Sequence, residues 1–408
     1  MKNNVFTEVK DLLTHNLRTS GIYIAFVAII LIFTITTGGT LLSPENVTNI
    51  ILQNAHILIM ALGMILVIVG GHIDLSVGSV LAFASAVSAV LVIRMGMPWW
   101  VGVLAAIVVG IIVGMWQGFW VAYVGIPAFI VTLAGMLLFR GLTYLVLDNV
   151  SLSPFPHGYR EVASGFLDGL FGSITISEGE GLKAVPVTAD IFTLVIGVLA
   201  VIGLIVSSMR TRRTRQSYNQ AVESNFLFIL KLAVVSVVIL AFAWALSYNR
   251  GFPYVLITVA VLILIYNVVT NRTVFGRHVY SVGGNLSAAR LSGVNVRSTN
   301  FWVMVNMGFL TGIAAAVFSS RSNGAQPGMG NMFELDVIAA CFIGGASTMG
   351  GVGRVGGALV GGLVMAVMTN GMQLMGVPQS LQLVIKGLVL LLAVAFDIYN
   401  KRRAGATR

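Results

Sequence analysis

The chain has 408 residues, of which 57% are hydrophobic and only 9% are charged. A soluble domain carries roughly 25% charged residues, so this composition excludes a soluble globular protein and indicates a polytopic membrane protein. The formal net charge of +10 does not indicate nucleic-acid binding, because the basic residues are dispersed among apolar runs and form no basic domain. The single cysteine, Cys341, lies in an apolar run and cannot form an internal disulfide.

Apolar runs near the ~20 residues needed to cross the hydrocarbon core predict twelve transmembrane helices. The predicted fold is a single all-α transmembrane domain over residues 1–408 with both termini in the cytoplasm. Sixteen of the 24 Lys and Arg residues then fall inside and five outside, as the positive-inside rule requires. In chain order, the predicted spans are residues 22–39, 50–69, 73–93, 99–123, 128–147, 190–207, 226–246, 254–269, 299–319, 337–347, 356–370 and 381–396.

The segments between these spans differ in charge. Residues 1–21 are predicted to be a cytoplasmic lead, and residues 398–408 a cytoplasmic tail. Residues 208–225 form a basic cytoplasmic loop that begins with Arg210, Arg212, Arg213 and Arg215. Residues 148–189 are acid-rich and poor in Lys and Arg, which favours the periplasm, and we expect a short helix near residues 159–171. This loop is either a surface for a periplasmic partner or a linker without one.

Residues 271–298 form a further cytoplasmic loop, whose centre at residues 276–296 is rich in small and polar residues. It carries Arg277 and Arg290, and Arg297 just beyond, without an acid. Residues 287–293 predict a short helix that ends at Gly293, a residue type favoured just past a helix end. Two interpretations stay open: a lever for a soluble partner, or a solvated connector between two spans.

The sequence lacks the patterns of nucleotide, metal and enzyme sites. It has no G-x-x-x-x-G-K-[ST] phosphate-binding loop, and the glycine-rich run at residues 344–357 lacks the Lys-Ser/Thr end. The five histidines are scattered without metal-ligand spacing. We therefore predict no catalytic residue, no metal and no ATP bound by this chain, so that any ATP would be used by another subunit.

Polar and ionisable residues within predicted spans are the remaining functional candidates, because their burial in a membrane is costly. Asp74 either caps its helix by accepting hydrogen bonds from backbone N–H groups near Ser76 or lies on a translocation path. Arg140 faces the path, pairs with an acid or snorkels to the interface. The candidates for the pathway or its gating are Asp74, Ser76, Arg140, Glu334, Asp336 and Asn306. Weakly polar residues that could contact a neutral solute are Gln53, Asn54, Thr132, Asn306, Thr311, Asn370 and Gln373.

Four motifs, in this order along the chain, resemble those of one transporter family. They are GMILVIVGGHIDLSVG at residues 63–78, FIVTLAGMLLFRG at 129–141, GGNLSAARLSGVNV at 283–296 and FELDVIAACFIGGASTMGGVG at 333–353. Together they resemble motifs of the bacterial ABC sugar-importer permeases of the ribose, xylose, arabinose and galactoside group. The resemblance to the xylose-type permeases extends over nearly the whole chain. Leu286 and His72 depart from the usual pattern, which has an acid at the first position and a small or acidic residue at the second.

The resemblance implies a permease subunit in the bacterial inner membrane. A second copy would complete the translocation pathway, a cytoplasmic ATP-binding subunit would supply the energy, and a periplasmic binding protein would deliver a monosaccharide such as xylose. The residues that the resemblance places against the ATPase are Gly284, Asn285, Ala288, Ala289, Arg290, Leu291, Ser292 and Gly293. The alternatives are an ion-coupled secondary sugar transporter and a membrane scaffold or receptor without transport.

Overall fold

The computed structural model describes residues 17–177, 187–220, 222 and 224–403. Most of the predicted N-terminal lead, the middle of the loop at 148–189 and the end of the C-terminal tail lie outside these residues.

The described chain is a bundle of helices, which we number in chain order. The first eight are α1 (Leu17–Thr36), α2 (Pro44–Val69), α3 (Val77–Ala89), α4 (Trp99–Phe119), α5 (Ala128–Leu147), α6 (His157–Ser164), α7 (Ile191–Ser217) and α8 (Asn225–Tyr248). The others are α9 (Tyr254–Arg272), α10 (Val274–Gly284), α11 (Leu286–Leu291), α12 (Val296–Ser322), α13 (Phe333–Ile343), α14 (Val355–Leu374) and α15 (Gln379–Arg403). Wider π-helical turns continue α3 as Val90–Arg94 and α4 as Trp120–Val124.

Every predicted span corresponds to a helix. Among the described residues nine helices are long and apolar enough to cross a membrane, and two shorter apolar stretches, Gly21–Thr36 and Gln379–Ala395, lie in α1 and α15. The tenth predicted span, residues 337–347, has the 11-residue length of α13 but lies four residues further along the chain. At 1.5 Å per residue it is about 16 Å long, roughly half of the hydrocarbon core. The bundle is the all-α polytopic membrane fold that the sequence predicts.

The predicted basic loop at residues 208–225 is shorter in the structure. Helix α7 continues through the arginines to Ser217, and α8 begins at Asn225. Arg, Thr and Gln are adequate helix formers, so the end of the hydrophobic run does not end the helix. The predicted loop at 271–298 likewise holds the two short helices α10 and α11, and the helix expected at 159–171 is α6.

Helix α2 lies at the centre of the bundle. Of its 18 most apolar consecutive residues, 94% are buried, against 11% for α7 and 11% for α8. A helix that is apolar on every side must be surrounded by protein or lipid, and here protein surrounds α2. Helices α7 and α8 instead pack mainly on each other at the periphery.

Close backbone contact joins α4 to α12. A Cβ added at Gly308 would overlap the carbonyl oxygen of Gly110 and lie 2.9 Å from the Cα of Gly114. A Cβ at Gly312 would lie 2.7 Å from the carbonyl oxygen of Ala106. Small residues at such a crossing let two transmembrane helices approach more closely than side chains would permit.

The bundle has two distinct ends. At the hairpin end, Arg94 pairs with Asp148 at 2.9 Å, and the Tyr159 hydroxyl lies 2.8 Å from Ser88 Oγ and 2.9 Å from Ser319 Oγ. This end carries the antiparallel strand pairs β1 (Phe166–Leu167) with β4 (Phe252–Pro253) and β2 (Ser173–Ser177) with β3 (Val187–Asp190). At the other, glycine end, the Gly351 N–H donates to the Val69 carbonyl at 2.8 Å.

Gly308→Ala tests the crossing of α4 and α12. The added methyl group would separate two touching backbones, so we expect the free energy of unfolding to fall by about 1–3 kcal/mol. The measurement is the apparent Tm of the purified permease in detergent, followed by tryptophan fluorescence. Gly141→Ala is the matched control, because a Cβ at Gly141 meets no described atom within 4 Å. Equal Tm values for the two variants would contradict this account of the crossing.

Candidate translocation site and coupling element

Two helices of the bundle begin inside it, and their N-terminal ends meet. Helix α3 follows the non-helical residues 72–76, and α13 follows the turns at residues 327–332. A Cβ at Gly78 would overlap the carbonyl oxygen of Gly330, and a Cβ at Gly330 would overlap that of Gly78. The two backbones therefore touch at this point, which we call the helix junction (Gly78 and Gly330).

Asp74 and Ser76 belong to a buried hydrogen-bond chain beside the helix junction. The Ser76 N–H and hydroxyl donate to Asp74 Oδ1 at 2.8 and 2.6 Å. The Gln117 amide of α4 donates to Ser76 Oγ at 2.6 Å, and Thr132 of α5 donates to the Ile73 carbonyl at 3.3 Å. The non-helical segment is thus fixed from two sides. The Asp74 carboxylate accepts from the N–H of Ser76, the N-cap residue of α3, so Asp74 holds the segment before the helix and is not itself the N-cap.

Arg140 and Glu334 approach the helix junction from the other side. Arg140 Nη1 donates to the Met329 carbonyl at 2.5 Å, in the turn just before α13. Glu334 is 5% exposed, and its Oε2 has no hydrogen-bond partner among the described residues. Its carboxylate lies against the Cα of Gly78 and interacts electrostatically with Arg140. Four of the six candidates thus surround one junction.

The other two candidates lie elsewhere. Asp336 forms an ion pair with Lys386 of α15 at 2.9 Å, and the two side chains are 15% and 16% exposed. Asn306 accepts a hydrogen bond from the Tyr266 hydroxyl of α9, and the structure does not bring it to the helix junction. Lys386 therefore holds α15 to α13 and is half-buried within the bundle.

The coupling element, α10 with α11, is capped at both ends of α11. The Asn285 side chain accepts from the Ala288 N–H at 3.0 Å. At the other end Gly293 has a φ of +80°, and the Val294 N–H donates to the Ala289 carbonyl at 3.0 Å. Ala289 is buried, whereas Leu291 is 90% exposed. Among the other candidates, Arg290, Ser292 and Ala288 are also exposed.

The base of the coupling element packs on the glycine end. A Cβ at Gly283 would overlap the Val69 carbonyl oxygen, and a Cβ at Gly351 would lie 2.7 Å from the Cα of Gly284. The Tyr280 hydroxyl donates to the Gly353 carbonyl at 2.6 Å. Burial raises the pKa of this hydroxyl, against the opposing charge of Arg354, so it remains a donor.

This packing joins the coupling element to the helix junction. Val69 ends α2 just before the non-helical segment that leads into α3. Gly351 and Gly353 lie in the break that follows α13. A displacement of α10 therefore reaches both segments that flank the broken helices. The sequence alone did not identify Gln117 or Val69, because each acts through a partner distant in the chain, and it indicated Lys386 only as an ionisable residue of the last span that could snorkel outward, without its partner Asp336.

The chain belongs to the permease family described as the branched-chain amino acid transport system / permease component, whose model matches residues 46–394. It is 37% identical to the xylose transport system permease protein XylH of Escherichia coli over 98% of this chain and 95% of that protein. It is also 37% identical to the Haemophilus influenzae XylH, over 95% of this chain and 98% of that protein. To the ribose import permease protein RbsC of H. influenzae the identity is 31%, over 92% of each chain. No solved structure matches it.

These similarities confirm the resemblance to ABC sugar-importer permeases of the xylose type. The chain is a multi-pass permease of the bacterial inner membrane. Because the match extends over nearly the whole length of the xylose permeases, it includes both the coupling element and the helix junction.

Asn285→Ala tests the capping of α11. Loss of a side-chain N-cap costs about 0.5–2 kcal/mol, which is large for a helix of six residues. We expect faster amide hydrogen exchange in peptides covering residues 286–293, measured by mass spectrometry, and unchanged exchange in α2. Asn285→Ser, which retains a capping oxygen, should restore the protection. Exchange that is the same in all three proteins would contradict the assigned cap.

Proposed function

We propose that this chain is the membrane-spanning subunit of an ATP-driven importer for a monosaccharide, xylose or a similar pentose or hexose. Two copies would form the translocation pathway, a cytoplasmic ATP-binding subunit would bind α11, and a periplasmic binding protein would deliver the sugar. The observation that carries the proposal is the 37% identity to xylose transport permeases over nearly the full length of the chain. The chain itself would bind no cofactor, and ATP would be used by the partner.

The exposed side of α11 supports contact with a soluble partner. Leu291 projects from a short, doubly capped helix and is 90% exposed. The basic residues Arg277, Arg290 and Arg297 flank it, which supports a cytoplasmic position for the glycine end. The hairpin end would then face the periplasm and the binding protein.

Contact between rigid segments supports a mechanism for energy coupling. Closure of the ATPase pair would displace α11 and, through Gly283, the carbonyl end of α2 and the break after α13. The helix junction would respond by changing the packing of α3 on α13. Transport requires only that ATP binding favour one of two conformations, with no chemistry on the sugar.

The ionisable residues favour this proposal over an ion-coupled secondary transporter. Such a transporter needs membrane acids that bind and release an ion. Asp74 accepts two hydrogen bonds from Ser76, and Asp336 is paired with Lys386. Both carboxylates therefore have fixed partners on the protein. Glu334 is the exception among these acids, since its Oε2 has no hydrogen-bond partner among the described residues and the nearby charge is that of Arg140.

Uptake by proteoliposomes tests the proposed function. One set contains the permease alone under an imposed proton or sodium gradient, and the other adds the candidate ATP-binding subunit, the binding protein and ATP. A panel of radiolabelled pentoses and hexoses identifies the substrate. We expect uptake only in the second set. Gradient-driven uptake without ATP would overturn the proposal in favour of a secondary transporter.

Leu291→Asp tests the contact with the ATP-binding subunit. A carboxylate buried without a partner at an interface centre costs about 2 kcal/mol or more, so ATP-driven uptake should fall at least about tenfold. The variant should fold normally, because the side chain makes little contact with its own chain. Tyr218→Asp is the control, since Tyr218 is 74% exposed in the turn between α7 and α8. Equal uptake by both variants would exclude Leu291 from the interface.

A further inference from the structure

A cavity of about 730 Å³ lies between α15 and the helices α2, α13 and α14. Its mouth is at the hairpin end, where Gln373 ends α14 and Gln379 begins α15. Its inner part is lined by Asp336, in the first turn of α13, and by His56 of α2. The cavity thus leads from one face of the bundle toward the helix junction.

Amide side chains dominate the polar lining of this cavity. An amide presents both donors and acceptors without charge, and a hydroxyl group is itself a donor and an acceptor. The side-chain amides of Gln53, Gln373 and Gln379 form no hydrogen bond to other residues that the structure describes, unlike those of Asn54 and Gln382, so they are available to a solute. The lining amides are Gln53, Asn54, Gln326, Asn331, Gln373, Gln379 and Gln382.

The charges of the cavity cancel. The acid and the base in its lining are Asp336 and Lys386, whose side chains are 2.9 Å apart. A neutralised pair offers hydrogen bonds to hydroxyl groups but no net attraction for an ion. The cavity is therefore suited to a neutral, hydroxyl-rich solute rather than to a charged one.

Aromatic rings and one buried nitrogen complete the lining. The His56 ring centroid lies 4.6 Å from each of the Phe318 and Phe333 centroids. The ring is hydrogen-bonded to the backbone of Gln53, whereas Nε2 is buried without a partner among the described residues. Aromatic faces also pack well against the apolar C–H faces of sugar rings.

We propose that this amide-rich cavity is the site where the permease itself binds a neutral monosaccharide during its passage. This inference rests on the proposed function and adds a location and residues to it. Gln53, Gln373 and Lys386 bind hydroxyl groups, and the His56 ring closes the inner end. The site is weak, because the solute must leave it toward the helix junction in each cycle.

Protection of an introduced cysteine tests binding directly. In the full-length permease in nanodiscs, Cys341→Ala removes the native thiol, and Gln373→Cys places a new one at the mouth of the cavity. The rate of maleimide labelling is measured with increasing D-xylose, D-ribose or the charged D-gluconate. At a sugar concentration about ten times the Kd, labelling should slow about tenfold, because only the unliganded fraction reacts.

Asn267→Cys in the same background is the control, because Asn267 lines a separate cavity of about 500 Å³ near the glycine end. We expect a neutral sugar to protect Cys at 373 and not at 267. No protection by either sugar, equal protection of both positions, or equal protection by gluconate would overturn the proposed site. A wild-type importer that fails to transport sugar with ATP would overturn the proposed function, whereas the labelling result requires neither ATP nor a partner.

Transport by the assembled importer provides a second readout. The double substitution Gln53→Leu and Gln373→Leu replaces two amides with apolar side chains of similar size. The uptake of D-xylose or D-ribose per ATP hydrolysed should therefore fall by about tenfold. ATPase stimulation by the loaded binding protein should remain. Asn267→Leu, an exposed amide outside the cavity, should leave the ratio unchanged. A double variant with the wild-type ratio would overturn the inference even where the importer itself is active.

Discussion

The backbone contact between Gly78 and Gly330 is the constraint on which the rest of the structure depends. A helix that begins within the membrane exposes N–H groups that water cannot satisfy there. The Asp74 carboxylate accepts from one such group, the Ser76 N–H, and side chains of the neighbouring helices donate to oxygen atoms of the interrupted segments. Gln117 and Thr132 hold the segment before α3, and Arg140 binds the turn before α13. Buried polar residues from four helices thus meet where two helices are interrupted.

The same interruption connects the helix junction to the glycine end of the bundle. Continuous helices would hold each end of the bundle in place by their own hydrogen bonds. The non-helical segment before α3 and the glycine-rich break after α13 are held instead by turn hydrogen bonds and by contacts with neighbouring helices. The base of α10 meets the end of α2, just before the first segment, and the break itself, where Gly283 packs on Val69 and Gly284 on Gly351. One element thus contacts both non-helical connections or the residues next to them.

Hydrophobicity and turn residues made much of this fold predictable, including α5, whose bounds Ala128–Leu147 agree with the predicted span. The 11-residue length of α13 was predicted, but its start was placed four residues late, because Glu334 and Asp336 in its first turn lower the local hydropathy. The end of α7 was misplaced, because hydropathy registers the membrane boundary and not the helix end. Within the candidate site, the coupling element and Asp74 could be identified from the residues next to them in the sequence. The pair of Asp336 and Lys386 did not, since 50 residues separate them and the cavity they line exists only after α15 has packed.

The peripheral position of α7 and α8 has an evolutionary consequence. These helices are joined by a short turn, pack mainly on each other and bury little of their surface in the rest of the bundle. Because they cross as an antiparallel pair, their gain or loss as a unit would leave the orientation of every later helix unchanged. A lineage can therefore acquire or discard this hairpin without reorganising the path between the helix junction and the coupling element.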